Sequence, residues 1–119
     1  MIRLKRAYDP ASAADGRRFL VDGLWPRGLK KEFLDVEGWV KGVAPSRMLR
    51  GWFGHDPARW KEFARRYEEE LDRNSEAWKP LLDAARVGDL TLVFAARDSE
   101  RNNAVVLRDY LDRRLKRKK

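Results

Sequence analysis

LTLVFAA, residues 90–96, is a near-continuous apolar run of strand length, interrupted only by Thr91. A strand with apolar side chains on both faces needs cover on both, so this segment reads as a central strand of a sheet. A helical pattern precedes it and stops at Gly88. Another follows, with Asp98 or Ser99 available as its cap and Ala104, Leu107, Tyr110 and Leu111 spaced to face a core. A buried strand between two helices favours a parallel arrangement.

Two further strands lie upstream. Ile2 and Leu4 alternate with Arg3 and Lys5, the period of a half-buried strand, and Phe19, Leu20 and Val21 form a short apolar strand ended by Asp22 and Gly23. Between them, DPASAADG offers Asp9 as a cap, Pro10 at a first helical position and Gly16 as a left-handed stop, enough for a helical turn or two. The connection from Lys5 to Arg18 is near the lower limit for a parallel crossover, so a wide β-hairpin is the open alternative. The expected fold is α/β: a small, mainly parallel sheet of about three strands flanked by helices, in a single domain over residues 1–112 with a basic C-terminal tail over 113–119.

Residues 24–44 are mixed, with Phe33, Leu34, Val36, Trp39 and Val40 as expected core contacts. Ser46 caps a short helix whose Met48, Leu49, Trp52 and Phe53 share a face, and Gly54 ends it. The strongest helical pattern starts with Asp56 and Pro57 and carries Trp60, Phe63, Ala64, Tyr67 and Leu71 inward, with Lys61, Arg65, Glu68, Glu69 and Asp72 opposite. A third helix starts near Ser75 and buries Trp78, Leu81, Leu82 and Ala85. Pro80 predicts a bend or a later start there.

The chain has 119 residues, no cysteine and one histidine. Disulfides, thiolate catalysis and cysteine-based metal sites are thereby excluded, and no metal or cofactor site is expected. Arg3, Lys5 and Arg6 interrupt the only candidate for a signal sequence, and residues 90–96 are far short of a membrane span, so a soluble cytoplasmic protein with no membrane partner is expected. The formal net charge is +8, but RRLKRKK at 113–119 holds six of the cations; eight less six leaves +2 for the rest. That run reads either as a solvated helix end whose cations complement the helix dipole or as a polyanion-binding tail.

If the strands ending at Asp22 and Ala96 run parallel in one sheet, their carboxyl ends open onto one edge, where ligands of open α/β sheets bind. DGLWPRG would present Asp22, Trp25 and Arg27 there. RDSERNN would present Arg97, Asp98, Asn102 and Asn103 at a helix start, where free backbone N–H groups receive anions. Arginine forks at 27 and 97 add bidentate recognition of phosphate or carboxylate. Each residue also has a plainer reading: Asp22 as a turn cap, Trp25 as core, the arginines as partners of nearby carboxylates, and one of the two asparagines as a helix cap. His55 beside Asp56 has the form of a general base with its orienting carboxylate, or simply of a helix junction.

The motifs KRAYDP, DGRRFLVDGLWPRG, WVKGVAPSRMLRGWF, RYEEEL and LVFAARDSERNNAVVL, in this order and spacing, resemble the YeaO-like branch of a family defined only as a domain of unknown function. The resemblance spans nearly the whole chain apart from the basic tail. It implies a compact α/β domain and assigns no substrate or catalytic residue. The branch's pattern carries a third arginine where this chain has Gly23. Longer relatives carry a Cys and a His near the loop that here reads AARDSERNN, so their thiol chemistry does not transfer.

The leading functional expectation is a site for a small anionic ligand bearing a phosphate or nucleotide, with or without a reaction. The alternatives are nucleic-acid binding through the tail and Arg47, Arg50 and Arg59, for which no known nucleic-acid motif is present, and a protein-interaction module using an aromatic patch.

Overall fold

In a computed structural model that describes residues 1–117, four strands form one sheet. They are β1 (Ile2–Arg6), β2 (Arg17–Leu20), β3 (Gly38–Trp39) and β4 (Leu90–Phe94), in the spatial order β1-β4-β2-β3. Every neighbouring pair is parallel. The 90–96 segment therefore supplies the central strand, buried at all five β4 positions. The hairpin alternative for the first two strands fails because β4 lies between them and both run parallel to it. The two-residue β3 is a fourth strand beyond the three expected; Gly38 and Trp39 pair with Phe19 and Leu20.

All four α-helices contribute to the core on one face of the sheet: α1 (Arg47–Phe53), α2 (Trp60–Asp72), α3 (Ser75–Val87) and α4 (Asn103–Lys116). Ile2, Leu90, Leu92 and Phe94 meet the inward stripes of α2 and α4 there. Each such side chain, fully buried, stabilises the fold by about 1.5–3 kcal/mol relative to exposure. The α2 stripe is as expected, from Phe63 through Tyr67 to Leu71. Tyr67 donates its buried hydroxyl to the Val43 carbonyl, fixing the chain just ahead of α1.

The opposite face carries no α-helix. Leu20 and Val93 pack there against Ala7 and Leu34, with Trp25, Leu29 and Val36 at the margin. A 3-10 turn at Ala13–Asp15 covers the rest, one turn where a turn or two was expected. Its capping residue is Ser12, with Asp15 closing a capping box, in place of Asp9. Gly16 ends it at φ +65°. Asp15 and Arg18 are only 3% and 6% exposed, and they form an ion pair at 2.7 Å that Lys5 completes at 2.9 Å. Burial alone would raise the Asp15 carboxyl, but hydrogen bonds from Lys5, the Ser12 N–H and Arg18 outweigh it and hold the group well below the usual carboxylate range.

Several local expectations are corrected. Phe33 and Met48 are 73% and 81% exposed instead of buried, because Leu34 and Leu49 beside them take the inward positions. Trp39 is also exposed at the sheet edge. Helix α3 begins at Ser75, so there is no later start, and it continues unbroken past Pro80. Pro80 is only its sixth residue, so the ring costs a single bond to the Glu76 carbonyl in a water-accessible turn. The cap of α4 is Asn102, not Asp98 or Ser99.

Helix α4 also carries into the basic run. Arg113 pairs with Glu68 at 2.7 Å, and Arg114 lies 4.4 Å over the Tyr110 ring and 4.9 Å over Trp78. Residues 118 and 119 of that run lie outside the described residues. No helix among the described residues is long and apolar enough to cross a membrane.

Candidate functional site at the carboxyl edge of the sheet

Because β2 and β4 are parallel neighbours, the loops that follow them leave the sheet side by side. Asp22 ties them together. Its Oδ2 accepts the Ala95 N–H at 2.9 Å, and its Oδ1 accepts from Asn103 Nδ2 at 3.1 Å. The same Asn103 amide donates to the Val21 carbonyl at 3.3 Å. The carboxylate is thus fixed by the strand end after β4 and the first residue of α4. Burial pushes the Asp22 carboxyl up, against the lowering influence of the Ala95 N–H, Asn103 and the charge of Arg50.

A cavity of about 410 Å³ opens beside this clasp, within the usual range for a small-molecule site. Of the residues proposed from sequence, Asp22, Trp25, Arg27, Asn102 and Asn103 line it. Arg97 and Asp98 do not. Arg97 points from an exposed position on the loop, and Asp98 serves its own turn, accepting from the Glu100 and Arg101 N–H groups and pairing with Arg101 at 3.2 Å. Those two backbone hydrogen bonds, more than the Arg101 charge, lower the Asp98 carboxyl.

The two asparagines divide the work. Asn102 is 2% exposed; its Oδ1 accepts the Val105 N–H to cap α4 and its Nδ2 donates to the Asp98 carbonyl. Asn103 holds Asp22. Trp25 is anchored by its indole N–H on the Leu29 carbonyl and meets Trp39 edge-on at 5.5 Å, so it is both part of the second core and a wall of the cavity.

The other wall comes from α1 and the turn after it, which the sequence did not assign to the site. Arg50 sits among the buried Leu49 and Phe53, and its guanidinium packs on Gly23, where a Cβ would overlap Nη1. The available signal was a glycine directly after the candidate carboxylate. His55 also lines the cavity, at φ +59° just after Gly54 at φ +52°. Two successive left-handed residues turn the chain sharply, which brings the imidazole to the rim. The cavity thus holds Arg27, Arg50 and His55 against one carboxylate, Asp22. No group of three or more metal-ligating side chains occurs among the described residues.

Fold and cavity together define a small single-domain α/β protein with an open ligand-sized cleft at the carboxyl edge of a parallel sheet. The chain belongs to the family described as the inactive DUF488-N3 subclade, whose profile matches residues 1–119. It is 42% identical over 110 residues to the uncharacterized protein YeaO of Escherichia coli K12, covering 92% of this chain and 96% of that one. It is likewise 42% identical over 113 residues to the uncharacterized protein Rv3073c of Mycobacterium tuberculosis H37Rv, covering 95% of each. The YeaO-like resemblance seen in the motifs is therefore a family relationship. No solved structure matches the chain.

Proposed function

We propose that this protein is a binding module for a small ligand with an anionic group, held in the cleft at the carboxyl edge of the sheet. The observation that carries the reading is that Arg27 and Arg50 line one cavity, while neither guanidinium has a hydrogen-bond or ion-pair partner among the described residues. Many arginines elsewhere are paired, as Arg17 is with Glu37 and Arg65 with Glu62, and those that are not, such as Arg47, Arg73 and Arg97, lie exposed outside the cavity. Two unpaired forks facing one ligand-sized space suit a carboxylate or phosphate. The family's description as inactive favours binding over turnover.

Nucleic-acid binding through the C-terminal cations has less behind it. Arg113 and Arg114 are engaged with Glu68, Asp72 and aromatic faces, Arg59 donates to the Trp52 carbonyl, and Arg50 faces the cavity.

A thermal-shift screen of small carboxylated and phosphorylated metabolites tests the proposal. A ligand at 100 times its Kd stabilises by about 2.7 kcal/mol, a shift of several degrees for a domain of this size. Arg50→Ala and Arg27→Ala should lose that shift while remaining folded. A hit that stabilises both variants as well as the parent would place the site elsewhere.

A further inference from the structure

We infer that the cleft takes a compact zwitterion with an apolar side group, in the manner of a free aromatic α-amino acid, its carboxylate on Arg50 and its ammonium on Asp22. The inference rests on the anion-site reading above and narrows it. Asp22 and Arg50 line the same cavity, and the Arg50 guanidinium packs on Gly23, the residue next to Asp22. Yet the two form no ion pair among the described residues, although buried and half-buried charges elsewhere, Asp15 with Arg18 and Lys5, are in direct contact. Opposite charges held close without touching leave a gap that a dipolar ligand fills with both its ends matched.

The acceptor capacity of Asp22 agrees. Each of its oxygens receives one hydrogen bond, from the Ala95 N–H and from Asn103, while an ionised carboxylate offers about four acceptor positions. One position per oxygen remains for a ligand donor. Burial disfavours the charged carboxylate, and an ammonium brought in by the ligand adds to the favourable charge of Arg50 in offsetting it. A plain anion on Arg50 would instead lie next to the Asp22 charge and be repelled by it. The lining also includes Leu24, Trp25, Phe53 and Phe63, apolar surface that suits a hydrophobic side group.

Calorimetric titration of the full chain at neutral pH with L-phenylalanine and with 3-phenylpropionate, which keeps the carboxylate and ring but lacks the amine, tests this. Phenylalanine is expected to bind at least about tenfold tighter, the scale of one charge-assisted hydrogen bond. Asp22→Asn should remove that preference, and Arg50→Ala should weaken both ligands by about tenfold or more. Equal affinity of the parent protein for the two compounds, with both weakened by Arg50→Ala, overturns the zwitterion inference and leaves the anion site standing. A preference that survives in Asp22→Asn overturns it too. Failure of both compounds to bind overturns it, and if the wider metabolite screen is also blank, the anion-site reading falls with it. Should Asp22→Asn not fold, the ratio measured on the parent protein still decides.

Discussion

The Arg50 guanidinium occupies the volume in which a side chain on residue 23 would begin. Gly23 is in an ordinary backbone conformation, so the position needs glycine for space and not for a left-handed φ. Its neighbour is the far end of a flexible side chain, which can swing away at little cost. Gly23→Ala should therefore leave stability within about 1 kcal/mol of the parent. The displaced Arg50 should weaken Arg50-dependent ligands several-fold. Chemical denaturation and ligand titration of the one variant separate the two effects, and a large loss of stability with unchanged affinity would refute this packing.

Asp15 is the group whose protonation should govern acid stability. Its folded-state carboxyl is held below the unfolded value, so its contribution is fully present above about pH 4 and is lost as pH falls below that. Removing the charge outright leaves Arg18, 6% exposed, without its carboxylate. Breaking a buried pair from one side typically costs about 3–5 kcal/mol. Asp15→Asn should accordingly be strongly destabilised at pH 7, and the gap to the parent should narrow in acid. Urea unfolding of both proteins between neutral pH and pH 3 measures it; a gap that stays constant would remove Asp15 from the account. Asp22 has the opposite sign. Its carboxyl is raised, so its contribution is greatest in acid and is lost as pH rises through the folded value.

The parts of this fold that were legible in the sequence are those where one local pattern has one reading. Residues 90–94 are apolar on both faces and can only be a covered strand, and the Trp60–Leu71 stripe fits only a helix. The strand-end loops DGLWPRG and RDSERNN followed from parallel order alone. What was not legible depends on contacts distant in sequence. Strand β3 is two residues long and exists only because Phe19 and Leu20 present a free edge to Gly38 and Trp39. The covering of the second face by loops in place of helices depends on the buried Asp15 cluster, whose members are spread over Lys5 to Arg18. Arg50 belongs to the site because α1 docks beside Gly23, twenty-seven positions upstream in the chain, a proximity no spacing rule contains. Within RDSERNN four residues have cap-forming chemistry, and only the tertiary position of α4 decides that Asn102 takes the cap, Asn103 the clasp and Asp98 the preceding turn.

Gly16 and Gly28 both have positive φ, at +65° and +82°, but they should respond differently to substitution. A Cβ on Gly28 meets nothing within 4 Å, so Gly28→Ala carries only the conformational strain of a left-handed alanine, about 1–2 kcal/mol. A Cβ on Gly16 would instead overlap the backbone carbonyl of Asp89, which accepts the Arg17 N–H at 3.1 Å. That carbonyl belongs to the residue before β4 and cannot retreat without disturbing the first rung between β2 and β4, Arg17 with Leu90. Gly16, with ψ −140°, lies outside the left-handed helical well, so Gly16→Ala should cost at least that strain plus a backbone displacement in the centre of the sheet, clearly more than Gly28→Ala and more than about 2 kcal/mol in total. Equilibrium denaturation of the two variants side by side checks the order. Amide exchange supplies a second readout, since only Gly16→Ala should speed exchange at the Arg17 amide. Equal costs would mean that Asp89 yields easily and that the start of the central strand is less firmly held than its burial implies.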